Sequence, residues 1–147
     1  MPKWLDLPPL WLIAIMALMY LDAVYVAPMP EWPMPWLGGA VMALGVALAR
    51  WAAISFRAQK TTIVPHQTPS ALITSSAFAY SRNPIYLTDV IVLVGWGLIW
   101  GAILPFVLVP IFIWILTSRF IKPEEALMHA AFGEEFATYA VQVGRWF

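Results

Sequence analysis

Apolar residues run along this chain in long blocks. Residues 10–27 form the first block, and its core, Trp11-Leu12-Ile13-Ala14-Ile15-Met16-Ala17-Leu18-Met19, carries no charge; Asp22 stands near its far end. Residues 36–56 form the second, with Arg50 toward its end, where a long side chain can snorkel to an interface. The third runs from residue 84 to residue 121, too long for one membrane crossing and broken at Trp100-Gly101. A crossing helix takes about 20 mainly apolar residues. The pattern therefore predicts four spans, over residues 10–27, 36–56, 84–100 and 102–121, the last two as a hairpin. Pro84 suits a first helical turn with Asn83 as its cap, and Pro105 and Pro110 should bend the returning helix.

The polar stretches between the blocks are of different kinds. Pro28-Met29-Pro30-Glu31-Trp32-Pro33-Met34-Pro35 holds four prolines in eight residues, which cannot continue a helix and read as a short extracytoplasmic loop. Residues 57–81 are polar at first and amphipathic around Leu72, Ile73, Phe78 and Tyr80. So long a connection in a compact protein usually carries function. In the tail, Met128, Phe132, Phe136, Tyr139 and Val143 recur at steps of three and four, one face of an amphipathic helix that Gly133 should divide. Gly39, Ala43 and Ala47 form a small-residue stripe that suits close helix packing, inside the chain or between copies.

Composition narrows the class. Of 147 residues, 62% are hydrophobic and 11% are charged, against roughly a quarter charged in a soluble domain. That excludes an ordinary soluble enzyme, and the 15% of aromatic residues excludes disorder. The absence of cysteine excludes a disulfide framework and a thiol nucleophile. Two histidines without helical pairing predict no metal site. Balanced charge, 8 basic against 8 acidic residues, gives no reason to expect nucleic acid. An N-terminal signal peptide is disfavoured, since Asp6 follows Lys3 and no small-residue cleavage site follows the apolar run. In the four-span layout Lys3, Arg57, Lys60, Arg82, Arg119, Lys122 and Arg145 fall on one side, so both termini and the loop of residues 60–81 should be cytoplasmic. The expected fold is one all-α, membrane-embedded domain over residues 1–147: a four-helix transmembrane bundle with a cytoplasmic amphipathic C-terminal helix. Residues 1–56 supply two spans, and residues 57–147 the polar loop, the hairpin and the tail.

The hairpin brings its two cytoplasmic ends together, so Arg82 and Tyr86 should lie near Arg119, Glu124 and Glu125. Asp89, a turn and a half inside the third span, is a costly group there and a functional candidate by default. It can pair with Arg82 or Arg119, or meet a polar acceptor. His129 falls on the polar face of the tail.

These residues carry a resemblance. Arg82-Asn83-Pro84-Ile85-Tyr86 before the apolar hairpin, Glu124-Glu125 after it, Phe132-Gly133-Glu134-Glu135-Phe136, Tyr139 and Val143-Gly144-Arg145 resemble, in order and spacing, the membrane-embedded isoprenylcysteine carboxyl methyltransferase family and its phospholipid methyltransferase relatives. Thr61-Thr62-Ile63-Val64-Pro65 looks like the bacterial members, which implies a bacterial inner membrane. The likeness covers residues 60–146, and the first two spans carry no signature. It implies an S-adenosylmethionine-dependent methyltransferase whose cofactor enters from the cytosol and whose lipophilic or lipid acceptor, a carboxylate, amine or thiol, enters from the bilayer. It implies cofactor contacts from Thr62, Pro65, His66 and Tyr80, from Arg82, Asn83, Pro84 and Tyr86, and from Glu124 and Glu125. In that reading Arg82 holds the cofactor carboxylate, Glu124 or Glu125 its ammonium or a ribose hydroxyl, and Tyr86 faces the sulfonium or closes the site. Arg82, Tyr86, Asp89 and Glu125 are the catalytic candidates. Thr88, where family members more often show glycine, and Asp89 depart from the pattern on the acceptor side. Asn83 replaces the family's histidine variant and cannot act as a base. Two other classes are a nicotinamide-dependent membrane reductase with a related hairpin, and a non-catalytic membrane scaffold.

Overall fold

Prolines set where the helices of this chain begin. The computed structural model describes residues 6–26, 34–58, 71–101 and 104–147. Its α-helices are α1 (Pro8–Leu21), α2 (Pro35–Ala58), α3 (Pro84–Trp100), α4 (Pro105–Leu116) and α5 (Lys122–Gln142), and in each a proline stands at the first or second position. A helix leaves its first N–H groups without internal partners, so a residue lacking that donor costs nothing there, and its fixed φ suits the helix. A short 3-10 turn (Ser76–Ala79) precedes α3. Among the described residues there is no strand, as the all-α expectation required.

The hairpin forms with the predicted first arm. α3 ends at Gly101, whose φ of 60° and ψ of 23° lie in the left-handed region, a conformation glycine adopts without the clash a Cβ brings. The returning arm starts at Pro105, so this proline opens the helix rather than bending it; Pro110 lies inside. The tail is not a separate helix at its start. α4 passes through a π-helical turn (Thr117–Ile121) directly into α5. Pro123 explains the wide turn: it has no N–H for the carbonyl of Arg119, and its ring would crowd that oxygen in a regular helix. A second π-helical turn (Asp22–Val26) extends α1. Gly133, with φ 50° and ψ −121°, divides the tail as predicted.

Among the described residues two helices are long and apolar enough to cross a membrane: Pro8–Val26, of 19 residues, and Pro35–Ala58, of 24. α3, with 17 residues, is shorter, about 25 Å at 1.5 Å per residue. Large apolar side chains point outward along these helices, among them Ile13, Trp36, Leu44, Ile54 and Trp114, which suits a bilayer rather than water. The main core joins α1, α3 and α4 through Ile15, Met19, Leu93, Phe112 and Leu116, and reaches Tyr86, Phe120 and Ile121 below the hairpin mouth. A smaller core places Ala52 of α2 against Ile73, Ala77 and Phe78. At the opposite end, Trp96 donates its indole N–H to the Met16 carbonyl at 3.0 Å, and Tyr20, Trp96 and Trp100 stack edge to face.

The closest helix contact is between α2 and α3, and its small residues are not the expected ones. Gly39, Ala43 and Ala47 are all exposed, and a Cβ on Gly39 would meet nothing within 4 Å. The packed face is one residue out of phase: Gly38, Gly45, Ala52 and Ser55 are the buried positions of α2. A spacing of four drifts around a helix with 3.6 residues per turn, whereas a spacing of seven stays on one face. A Cβ at Gly38 would lie 2.5 Å from the Gly95 carbonyl oxygen, and one at Gly95 would lie 2.7 Å from that of Gly38. Backbone cannot move aside, so Gly38→Leu and Gly95→Leu should each destabilise the protein by at least about 1–3 kcal/mol, read as lost thermal stability in detergent. Gly39→Leu should leave the melting temperature within about a degree of wild type, as surface changes do.

Candidate functional site

Below the hairpin mouth the chain must satisfy the few charges it has. Arg82, just before α3, enters the site with only 13% of its side chain exposed, and its Nη2 lies 3.3 Å from Glu125 Oε1. Arg145 grips the same carboxylate from the other side, with Nε donating to Oε1 at 3.0 Å and Nη2 to Oε2 at 2.6 Å. Two guanidinium groups thus share one carboxylate. The hydrogen bonds it donates to Glu125 raise the pKa of Arg145 above its ordinary value. The Arg82 Nε is buried and finds no hydrogen-bond partner.

A turn further into α3, Tyr86 donates its hydroxyl to Glu124 Oε1 at 2.7 Å, and its buried ring lies 6.3 Å from that of Phe120. Consecutive glutamates at the start of α5 therefore serve different partners, Glu124 the tyrosine and Glu125 the arginines.

The tail folds back to complete the site. The left-handed kink at Gly133 redirects the second half of α5, burying Phe136 and Tyr139. Tyr139 donates its hydroxyl to the Phe78 carbonyl at 2.6 Å, and the Arg82 guanidinium lies 5.9 Å from the centre of the Phe136 ring. Beyond α5 the extended segment pairs with the entry to α3: the Arg82 N–H donates to the Gly144 carbonyl at 3.1 Å, and the Asn83 Nδ2 donates to the Arg145 carbonyl at 3.0 Å. Between the halves of α5 lies an open cleft of about 750 Å³ lined by Arg82, Glu125, His129 and Phe136, with Ala126, Ala130, Ala137 and Ala140 making its smooth walls. That volume is within the usual range for small-molecule sites, about 300–1,000 Å³.

Several expected residues meet here and others do not. Arg82, Tyr86, Glu124 and Glu125 converge. Arg119 is turned away: it binds Asp6 through Nε at 3.2 Å and Nη2 at 2.9 Å, and its guanidinium lies 5.6 Å from the Trp11 ring centre. Asp89 consequently pairs with neither arginine; it is partly buried inside α3. Asn83 does not cap α3 with its side chain, because its amide is committed to the tail. Pro84 is buried as the first residue of α3. Tyr80 is 71% exposed and faces Trp51 at 5.9 Å, outside the cleft. Thr62, Pro65 and His66 lie outside the described residues. The sequence marks Phe136 as part of the tail's apolar face and Arg145 as a one-sided charge, both also as motif elements and neither as a site residue, while His129, on the expected polar face of the tail, lines the cleft 6.0 Å from Phe136.

These features define an all-helical protein with membrane-length apolar segments and a charged cleft below a helical hairpin. A family model for phospholipid methyltransferases matches residues 33–135, and the chain belongs to that family. The match holds Arg82, Tyr86, Glu124 and Glu125, begins earlier than the resemblance seen in the sequence, and stops before Phe136. Membership makes the protein a methyltransferase-type membrane protein. No curated protein and no solved structure shows a significant match to the chain.

Burial raises the Tyr139 pKa to about 12 from an ordinary value of 10.0, partly offset by the charge of Arg82. The folded state therefore favours the neutral phenol. Its contribution to stability is complete below pH 10.0 and is lost as pH rises through about 12. Tyr139→Phe should cost about 1 kcal/mol at neutral pH, and alkaline unfolding curves of the two proteins should converge over that window.

Proposed function

We propose that the protein transfers a methyl group from S-adenosylmethionine to a lipophilic acceptor held in the bilayer. The observation that carries this reading is the Arg82 guanidinium at the cleft, with its Nε buried and unpartnered and the Glu125 carboxylate beside it. An unpartnered buried donor is costly, and a planar fork is the natural partner of a carboxylate. The amino-acid end of the cofactor carries one carboxylate and one ammonium. Arg82 holds the first; Glu124 or Glu125 holds the second, or a ribose hydroxyl. The alanine walls and the Phe136 ring give the nucleoside an apolar bed.

Four membrane-crossing helices, with the site on the cytoplasmic side, complete the reading. Seven of the eight basic residues lie at one end of the helices in this layout, and Arg50 lies within the second span toward that same end; residues 4–49 and 83–118 contain no lysine or arginine. The asymmetry follows the positive-inside rule. A first span of 19 residues and a second of 24 fit it directly, and the shorter α3 fits a locally thinned bilayer.

When bound, the cofactor supplies an electrophilic methyl group on a sulfonium. The chain supplies position and dryness. Tyr86, held by Glu124 a turn further into α3 than Arg82, takes the sulfonium side, since its aromatic face suits a cation. Asp89 lies on the same helix face one turn deeper, about 4.5 Å along the axis, where an acceptor arriving from the apolar side presents its polar end. A carboxylate acceptor needs no base. An amine or thiol must lose a proton, and Asp89 or Glu125 takes it.

Calorimetry on the purified protein in detergent tests this. The demethylated cofactor product, S-adenosylhomocysteine, should bind with a dissociation constant on the order of micromolar, about −8 kcal/mol. Arg82→Ala should weaken it at least about tenfold, and Arg57→Ala should leave it unchanged. A folded wild type that binds neither the cofactor nor its product overturns the reading. Asp89→Asn should leave product binding intact and lower methyl transfer to membrane lipids, measured with labelled cofactor.

A further inference from the structure

The double grip on Glu125 has a consequence for Arg82. Glu125 and Arg82 are neighbours, both largely buried, with 18% and 13% of their side chains exposed. Left to themselves, a carboxylate and a guanidinium at this depth would close into a two-bond fork, here over the Nε–Nη2 edge of Arg82, and that edge would be taken from a ligand. They do not close. Arg145 takes both oxygens of Glu125, at 3.0 and 2.6 Å, and Arg82 is left with one long contact of 3.3 Å and an unpartnered Nε. Arg145 is itself fixed at its backbone, since its carbonyl accepts from Asn83 and the Gly144 carbonyl accepts from the Arg82 N–H. The segment that carries the competing cation is thus fastened to the residue whose freedom it protects.

We propose that Arg145 is a positioning residue that keeps Arg82 available: by engaging Glu125 on both oxygens it stops the site's own carboxylate from occupying the anion-binding edge of Arg82. The inference rests on the reading of Arg82 as the holder of the cofactor carboxylate. Arg145 need not touch the cofactor. Its effect is confined to ligands that carry a carboxylate.

That selectivity gives the test, again by calorimetry in detergent. Two ligands are compared: S-adenosylhomocysteine, with its amino-acid end, and methylthioadenosine, which lacks it. Arg145→Ala should weaken S-adenosylhomocysteine at least about tenfold, the scale of a lost charge-assisted fork, and leave methylthioadenosine within about twofold. Arg145→Lys keeps the charge without the planar fork and should fall between; it also serves if the alanine variant does not fold. The decisive arm is the double variant Arg145→Ala with Glu125→Gln. A neutral amide cannot neutralise Arg82, so once the carboxylate is gone Arg145 has nothing to hold off, and the double variant should bind S-adenosylhomocysteine within about twofold of Glu125→Gln alone. A double variant markedly weaker than Glu125→Gln alone, or equal weakening of both ligands by Arg145→Ala, assigns Arg145 a structural role and overturns the inference. Unchanged binding of S-adenosylhomocysteine by Arg145→Ala in a binding-competent background overturns this inference alone. A wild type that binds neither ligand overturns the methyltransferase reading and this one with it.

Discussion

Charges are scarce in this chain and its helices offer them little water, so each must be accommodated where it falls. Glu125 is where that requirement is most concentrated. Its carboxylate lies between Arg82, from the entry to the hairpin, and Arg145, from beyond the last helix. Removing it would leave two guanidinium groups facing one another, Arg82 with 13% and Arg145 with 35% of its side chain exposed, and an unpaired charge at the depth of Arg82 is costly. The backbone bonds from residues 82 and 83 to residues 144 and 145, the Gly133 kink and the burial of Phe136 and Tyr139 all bring the tail to where this carboxylate is shared. The cleft is the space left beside it.

The second charged knot shows that the same constraint has more than one solution. Arg119 and Asp6 pair through two bonds next to Trp11, tying the start of α1 to the π-helical turn below α4. One arginine is thereby spent on holding the first helix, and the cleft keeps the other two. Tyr86 and Glu124 lie between the knots and link the apolar core to the polar rim through one hydrogen bond of 2.7 Å.

Much of this was legible in the sequence, for reasons that differ by element. α3 begins at Pro84 and ends at a glycine because both residues carry backbone instructions that local chemistry reads unaided. The convergence of Arg82 and Tyr86 with Glu124 and Glu125 followed from hairpin connectivity. The glycine face was misjudged by one residue, since several small residues offer rival stripes and only the facing helix selects one. Arg119 and Asn83 were misassigned for a related reason: a side chain several bonds long can turn either way, and its partners, Asp6 and the Arg145 carbonyl, are far off in sequence. The π-helical join between α4 and α5 was hidden because Pro123 reads locally as a fresh start, although the helix simply widens to pass it.

The hydrogen bond from Asn83 to the Arg145 carbonyl spans 62 residues, and between its ends the chain must make both arms of the hairpin and turn at Gly133. During synthesis α3 can therefore form while Arg82 still lacks the wall that will face it. Contacts of such long sequence separation form late, after the intervening chain has been ordered. The apolar part of the molecule can thus assemble first as a set of helices, and the polar cleft is completed only when residue 145 has emerged and docked. Order of manufacture and order of assembly coincide here, and a half-made chain has no cleft in which to trap a ligand.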